Sequence, residues 1–144
     1  MQIDIKLLND YAKMPSHGSA SAAGYDLYAA TSYDIEIAPH KTVKVDAGIA
    51  VAIPEGYFGA IYARSGLATK QGLRLANCVG VVDADYRGPI IVALHNDTDE
   101  YQYIHAGDRI AQLVIQPFWD VNFNEVKELD TTERGNKGFG STGK

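Results

Sequence analysis

The sequence predicts an all-β domain, a sandwich or barrel with one short helix, followed by a glycine-rich C-terminal arm. Three observations carry the prediction for the body of the chain. Several short segments alternate apolar and polar residues at period two, as half-buried strands do. Two longer apolar runs are rich in β-branched residues, as buried strands are. Gly, Pro, Asn and Asp interrupt these segments often, the spacing expected of a sandwich or barrel.

Along the chain, "IDIKLL" (3–8) and "YDIEIA" (33–38) alternate cleanly, and "TVKVDAGIAVAI" (42–53) reads as one long alternating strand. "SGLATKQG" (65–72) is the one segment with helical character, enough for about two turns. "PIIVALHN" (89–96) and "RIAQLVIQPFW" (109–119) read as buried strands, and "YQYIHA" (101–106) alternates again. Turns are expected at Pro39-His40, Pro54-Glu55-Gly56, Asn96-Asp97 and Ala106-Gly107-Asp108. There is no repeat or linker. Residues 1–133 read as one domain and residues 134–144 as a glycine-rich arm that closes over a site.

The 144 residues suit one compact domain, and 46% hydrophobic with 22% charged residues is a soluble globular balance. A net charge of −5 argues against a nucleic-acid or membrane surface as the main partner, since both demand a basic face. A small anionic ligand is still compatible with it, because local charge can oppose net charge. The single cysteine, Cys78, permits no internal disulfide and points to a reducing compartment. With no apolar run near the N-terminus and no stretch of membrane-spanning length, the expected location is cytoplasmic. Asn96-Asp97-Thr98 matches a glycosylation sequon and is read as a chance match in a turn.

Five stretches break the strand pattern with Gly, Asp and Arg: "AGYDL" (23–27), "ARSGLA" (63–68), "GVVDADYRG" (80–88), "GDRIAQL" (107–113) and "RGNKGFGSTGK" (134–144). Four of the five arginines lie in them, namely Arg64, Arg87, Arg109 and Arg134. Arginine is the residue of bidentate phosphate or carboxylate pairing, so an acidic chain that gathers its arginines in Gly-rich loops looks like a phosphate binder. For Arg87 and Arg109 an equally good reading is loop-fixing pairs with carboxylates such as Asp85 and Asp108. Arg64 and Ser65 stand where a strand turns into the short helix, whose first N–H groups attract anions. Ser65 is also a candidate cap for that helix. Asp83 and Asp85 share a strand face if their segment is extended, and either is a candidate general base towards water. Spacing alone does not choose between them. His17, His40, His95 and His105 show no metal-ligand spacing.

The last stretch also brushes a P-loop, since Gly138 to Lys144 reads G-x-x-x-x-G-K. A P-loop needs a strand before it and a helix after it. Here nothing follows Lys144, and the preceding "ELDTTE" is polar. What survives is the physical content: glycines let backbone N–H groups approach an anion, Arg134 adds a forked cation and Phe139 a flat apolar face.

The five stretches, in this order and spacing, resemble the five motifs of the homotrimeric deoxyuridine triphosphatase (dUTPase) family, over most of the chain from Ala23 to Gly143. Departures are small: Val82 stands where isoleucine is more usual, and Lys144 follows the last motif. The resemblance implies a jelly-roll homotrimer with active sites shared between subunits. It implies hydrolysis of dUTP to dUMP and pyrophosphate by in-line attack of water at the α-phosphorus. That reaction keeps uracil out of DNA and supplies dUMP for dTMP synthesis. Asp83 matches the catalytic aspartate that activates the water. Tyr86 matches the tyrosine packed on deoxyribose, which leaves no room for a 2′-hydroxyl. Asn77, Gly80 and Val82 match the hairpin that reads uracil. Arg64, Ser65, Gly66 and Gln112 match phosphate contacts. Arg109 matches an arginine paired with Asp26, and Asp26 itself is tied to the metal only through water. In the arm, Phe139 stacks on uracil, Arg134 is catalytic at the γ-phosphate side with Ser141 and Thr142, and Lys137, Gly138 and Gly140 complete the contacts. The implied cofactor is Mg²⁺ held by the triphosphate, with no direct protein ligand. Two alternatives are a dCTP deaminase of the same fold, whose catalytic glutamate is missing from "VVDADY", and an added regulatory protein-binding role.

Overall fold

The computed structural model describes residues 1–138. Among them run β1 (Asp4–Leu7), β2 (Ser16–His17), β3 (Tyr25–Tyr28), β4 (Ile35–Ile37), β5 (Thr42–Asp46), β6 (Ile49–Ala52) and β7 (Tyr57–Tyr62). Helix α1 (Ser65–Lys70) follows, then β8 (Leu73–Leu75), β9 (Val79–Val82), β10 (Ile91–Asn96), β11 (Gln102–Ile104) and β12 (Arg109–Pro117). Among the described residues the structure is nearly all β with one short helix, and it takes the expected jelly-roll architecture. No described helix is long and apolar enough to cross a membrane.

The strands pair antiparallel in four sheets, with orders β1-β6, β5-β10-β8, β11-β4 and β2-β3-β12-β7-β9. Alternation sets which side chains turn inward. Leu27, Ile61, Val82, Ala111 and Leu113 of the five-stranded sheet face a shared core with Val45, Ile49, Leu73, Val92 and Ile104. The strand expected over 42–53 is two strands. Gly48 has φ +68 and donates its N–H to Asp46 Oδ1 at 2.6 Å, a local turn that an alternating pattern hides. The two halves then diverge, β5 to β10 and β6 to β1. β10 is not buried on both faces as its apolar run suggests, for Ile91 remains 40% exposed.

The predicted turns are present. Gly56 (φ +80) and Gly107 (φ +78) adopt the left-handed conformation that glycine tolerates. Asn96 of the sequon is fully buried, with Nδ2 donating to Ile37 O and Glu100 O and Oδ1 accepting from the N–H and hydroxyl of Thr98. All four of its hydrogen-bonding positions are used, so it staples the β10–β11 connection and offers nothing to a glycan.

Candidate active site

Register places one polar row across the five-stranded sheet. Asp26 of β3 lies opposite Gln112 of β12, Gln112 opposite Tyr62 of β7, and Tyr62 opposite Val79 of β9. Directly paired residues share a face, so these side chains stand together on the face turned from the core. The first, second and fourth motif stretches therefore converge at one end of the sheet, with the start of β9 beside them.

Asp26 is the hub of this end. Its side chain is only 11% exposed; Oδ1 accepts from Arg64 Nε at 2.9 Å and Oδ2 from Arg109 Nη1 at 3.2 Å. Two guanidiniums on one nearly buried carboxylate make a rigid cationic platform with nitrogen donors left over for an anion. Arg109 is fixed by Asp26 rather than by Asp108, whose carboxylate accepts instead from the His105 N–H at 2.8 Å. Gln112 is held as firmly: Nε2 donates to Ala63 O at 3.0 Å, and a β-carbon on Gly24 would lie 2.6 Å from its Oε1. Gly24 is thus a site glycine that the motif contains but that sequence reasoning did not single out.

Helix α1 opens right after Arg64. The residue in the capping position is Arg64, with no side-chain cap bond, and Ser65 is the first helical residue. The candidate capping role of Ser65 is therefore not realised, because the hydroxyl sits one position too late to reach the free N–H groups. Ser65 and Gly66 are exposed, and a β-carbon on Gly66 would meet nothing within 4 Å, so this corner is open to a ligand.

The third motif occupies a different place. β9 is an edge strand, paired with β7 on one side, so its outer edge presents unpaired backbone donors and acceptors. β8 and β9 are consecutive but pair with β10 and β7 respectively, and Ala76-Asn77-Cys78 makes a tight reversal between them, with Cys78 at φ +62. Asn77 and Gly80 stand at the row end of β9. Val82 points into the core at 6% exposure, so only its backbone faces outward. Asp83 lies four residues past Val79, roughly 13 Å away at ~3.3 Å per residue.

Asp83 and Asp85 do not share a strand face. The strand stops at Val82, and the Tyr86 N–H returns to Asp83 O at 3.1 Å in a tight turn. Arg87 fixes that turn through backbone carbonyls, donating to Ala84 O at 2.6 Å and Tyr86 O at 2.8 Å, rather than through Asp85. Asp83 is exposed and makes no side-chain hydrogen bond among the described residues. It lines a cleft of about 500 Å³ with Phe58, Val81, Asp85 and Phe118. Tyr86 is 43% exposed, and its hydroxyl donates to Pro89 O at 3.0 Å.

Residues 118–138 carry no helix or strand and are largely exposed; Trp119 is 90% and Phe123 95% accessible. Arg134 Nε donates to Lys137 O at 3.0 Å in a local turn, with Gly135 at φ +56. Phe139, Gly140, Ser141 and Thr142 lie outside the described residues. The structure therefore gathers Asp26, Arg64, Ser65, Gly66, Arg109 and Gln112 at one end of the sheet. It places Asp83 and Tyr86 at the other, and Arg134 in a local turn with Lys137 O. Among the described residues no group of three acidic, His or Cys side chains could hold a cation. Each Asp26 oxygen accepts one guanidinium bond and keeps a second lone pair.

Comparison with known proteins gives a consistent result. A family model described as dUTPase matches residues 10–143. The deoxyuridine 5′-triphosphate nucleotidohydrolase of Corynebacterium glutamicum is 48% identical over 143 residues, covering 99% of this chain and 95% of its own. That of Ehrlichia canis is 45% identical, covering 96% and 92%. The structure of a Staphylococcus bacteriophage 80alpha dUTPase variant with dUpNHpp superimposes with a TM-score of 0.90 at 32% identity, covering 99% and 98%. A phage phi11 dUTPase variant, solved to describe coordination of a structural Mg(II) ion, gives 0.80 at 28% identity, covering 89% and 98%.

Proposed function

We propose, on the premise that the chain belongs to the dUTPase family and is a dUTP diphosphatase, that Asp83 activates the hydrolytic water and that the two ends of the sheet serve one substrate across a subunit boundary. The observation that carries this reading is the open outer edge of β9 ending in the exposed, unbonded carboxylate of Asp83.

Along that edge, the backbone of Gly80 and Val82 with the Asn77 side chain offers the donors and acceptors that a uracil edge needs. Tyr86 faces the sugar and leaves no space for a 2′-hydroxyl. Asp83 takes a proton from water as the new O–P bond forms at the α-phosphorus. The bond from that phosphorus to the bridging oxygen breaks, and pyrophosphate leaves. At that edge Arg87 is held to Ala84 O and Tyr86 O through Nη1 and keeps its charge. Arg64, Ser65, Gly66 and Gln112 would supply the phosphate contacts from the platform end of a neighbouring copy. Arg134, with residues 137–142 of the arm, would close the site. Mg²⁺ on the triphosphate supplies the remaining charge neutralisation. Exposed Val79 and Val81, together with Trp119 and Phe123, support association into a homotrimer, since apolar groups in such number seek cover. The free, exposed Cys78 fits the reducing cytoplasm.

The test is pyrophosphate release from dUTP, dTTP, dCTP and UTP with Mg²⁺. Release confined largely to dUTP is expected. Equal release from dTTP, or none from dUTP, overturns the reading; ammonia from dCTP would point to the deaminase instead.

A further inference from the structure

We propose that Gly88 is a positioning residue for sugar specificity: it is the stop against which the hydroxyl end of the Tyr86 ring rests. This rests on the reading that Tyr86 faces the substrate's sugar.

Glycines in this chain are required for two different reasons. Gly48, Gly56, Gly72, Gly107 and Gly135 have positive φ, a conformation that other residues avoid. Gly88 is not among them, so its backbone does not demand glycine. Space does. A β-carbon at position 88 would collide with Tyr86 Oη and would lie 2.6 Å from Cζ and 3.0 Å from Cε2. The hydroxyl end of the ring therefore lies against Gly88.

Everything else about the ring is also fixed. Its hydroxyl is tethered to Pro89 O at 3.0 Å, and its backbone N–H closes the turn on Asp83 O at 3.1 Å. Arg87 clamps the same turn through Ala84 O and Tyr86 O. An aromatic side chain has two soft torsions and no internal bend. A methyl group at 88 forces a shift at this contact, and a ring that swings away from it loses the tether to Pro89 O. The exposed face of the ring, which is 43% accessible with its residue, would then no longer stand at one set distance from a sugar. Excluding a single hydroxyl by shape depends on that distance and on the ring's refusal to yield.

The experiment is a double-mutant cycle read as kcat/KM for dUTP against UTP. Tyr86→Ala should abolish most of the preference for dUTP. Gly88→Ala should reduce that preference about tenfold, a portion of the ~10² that shape alone can extract against an added hydroxyl. In the Tyr86→Ala background, Gly88→Ala should change nothing further, because the β-carbon no longer meets a ring. If Tyr86→Ala leaves the preference intact, the sugar-facing reading itself fails and the inference falls with it. If Tyr86→Ala removes the preference but Gly88→Ala does not, or acts equally in both backgrounds, the inference alone is overturned. Should Gly88→Ala by itself not fold, the double variant decides. Recovery of folded protein supports the collision with the ring, and failure in both backgrounds assigns Gly88 to the backbone instead.

Discussion

The two ends of β9 use charge in opposite ways. At its start lies the platform, where Asp26 holds Arg64 and Arg109 and Gln112 is bonded to Ala63 O, so the polar side chains already have partners within the chain. At its finish lies the Asp83–Tyr86 turn, where the backbone is clamped but the carboxylate of Asp83 is exposed and unbonded. The first is organised within the chain itself, which would lower the cost of orienting phosphates there. The second keeps a group free to exchange a proton. On the proposed reading, the sheet binds at its rigid end and reacts at its open one, and separates the two tasks by one strand length.

The largest effect should come from the open end. Asp83→Asn preserves shape and removes the base, so kcat should fall by about 10³ with KM little changed, as expected for loss of general-base action. Steady-state kinetics with dUTP measure it. A kcat within tenfold of wild type would break the division of labour, and Asp85 would become the candidate.

The next test asks whether the two ends meet only between copies. Asp83→Asn and Arg64→Ala chains are each expected to be nearly inactive. Refolded together at equal amounts, they should regain about one quarter of the wild-type activity, because a shared site draws each half from an independently chosen chain. No recovery from verified mixed oligomers would place both halves of the site in one chain.

The platform should respond in stability as much as in rate. Asp26→Ala leaves two guanidiniums facing each other without their carboxylate. Breaking a buried pair costs several kcal/mol, but Arg64 and Arg109 are 26% and 50% exposed, so about 2 kcal/mol is expected after solvent screening. Urea unfolding measures the change. A loss well under 1 kcal/mol would mean that the arginines find water as readily as Asp26, and the platform would not be pre-organised.

These contrasts bear on how much the sequence discloses. Local signals sufficed for β1, β4 and β11, whose alternation is clean, and for the turns at Gly56 and Gly107. They failed at Gly48, where Asp46 and Gly48 mimic the polar phase of a continuing strand. β7 was not anticipated either, because Gly59 and Ala60 interrupt its alternation. The motifs named the residues of a candidate site but not where each goes. That Gln112 lies opposite both Asp26 and Tyr62 is a matter of long-range register, which no short stretch encodes. The pairing of Arg109 with Asp26 was expected from resemblance and is present; that Arg64 shares the same carboxylate was not foreseen. Gly24 and Gly88 were visible inside the quoted motifs, but what they do depends on which side chain leans on them.

The smallest effect separates buried from exposed pairing. His105 Nδ1 stands 3.0 Å from Asp34 Oδ1, with side chains 63% and 60% exposed. The hydrogen bond to Asp34, aided by its charge, raises the His105 pKa above the ordinary 6.5. A raised folded-state value means that the protonated pair stabilises the fold fully below 6.5 and that this contribution fades as pH climbs through the folded value. His105→Asn should therefore lower Tm slightly at about pH 5.5, by less as pH climbs, and not at all once wild-type His105 has lost its proton. Thermal unfolding across that range measures the gap. If it stays constant with pH, the contact matters as a neutral hydrogen bond. If the acid-side loss rivals that of Asp26→Ala, then exposed pairing is as strong as the platform's. Burial would no longer explain why the Asp26 end of the sheet is the rigid one.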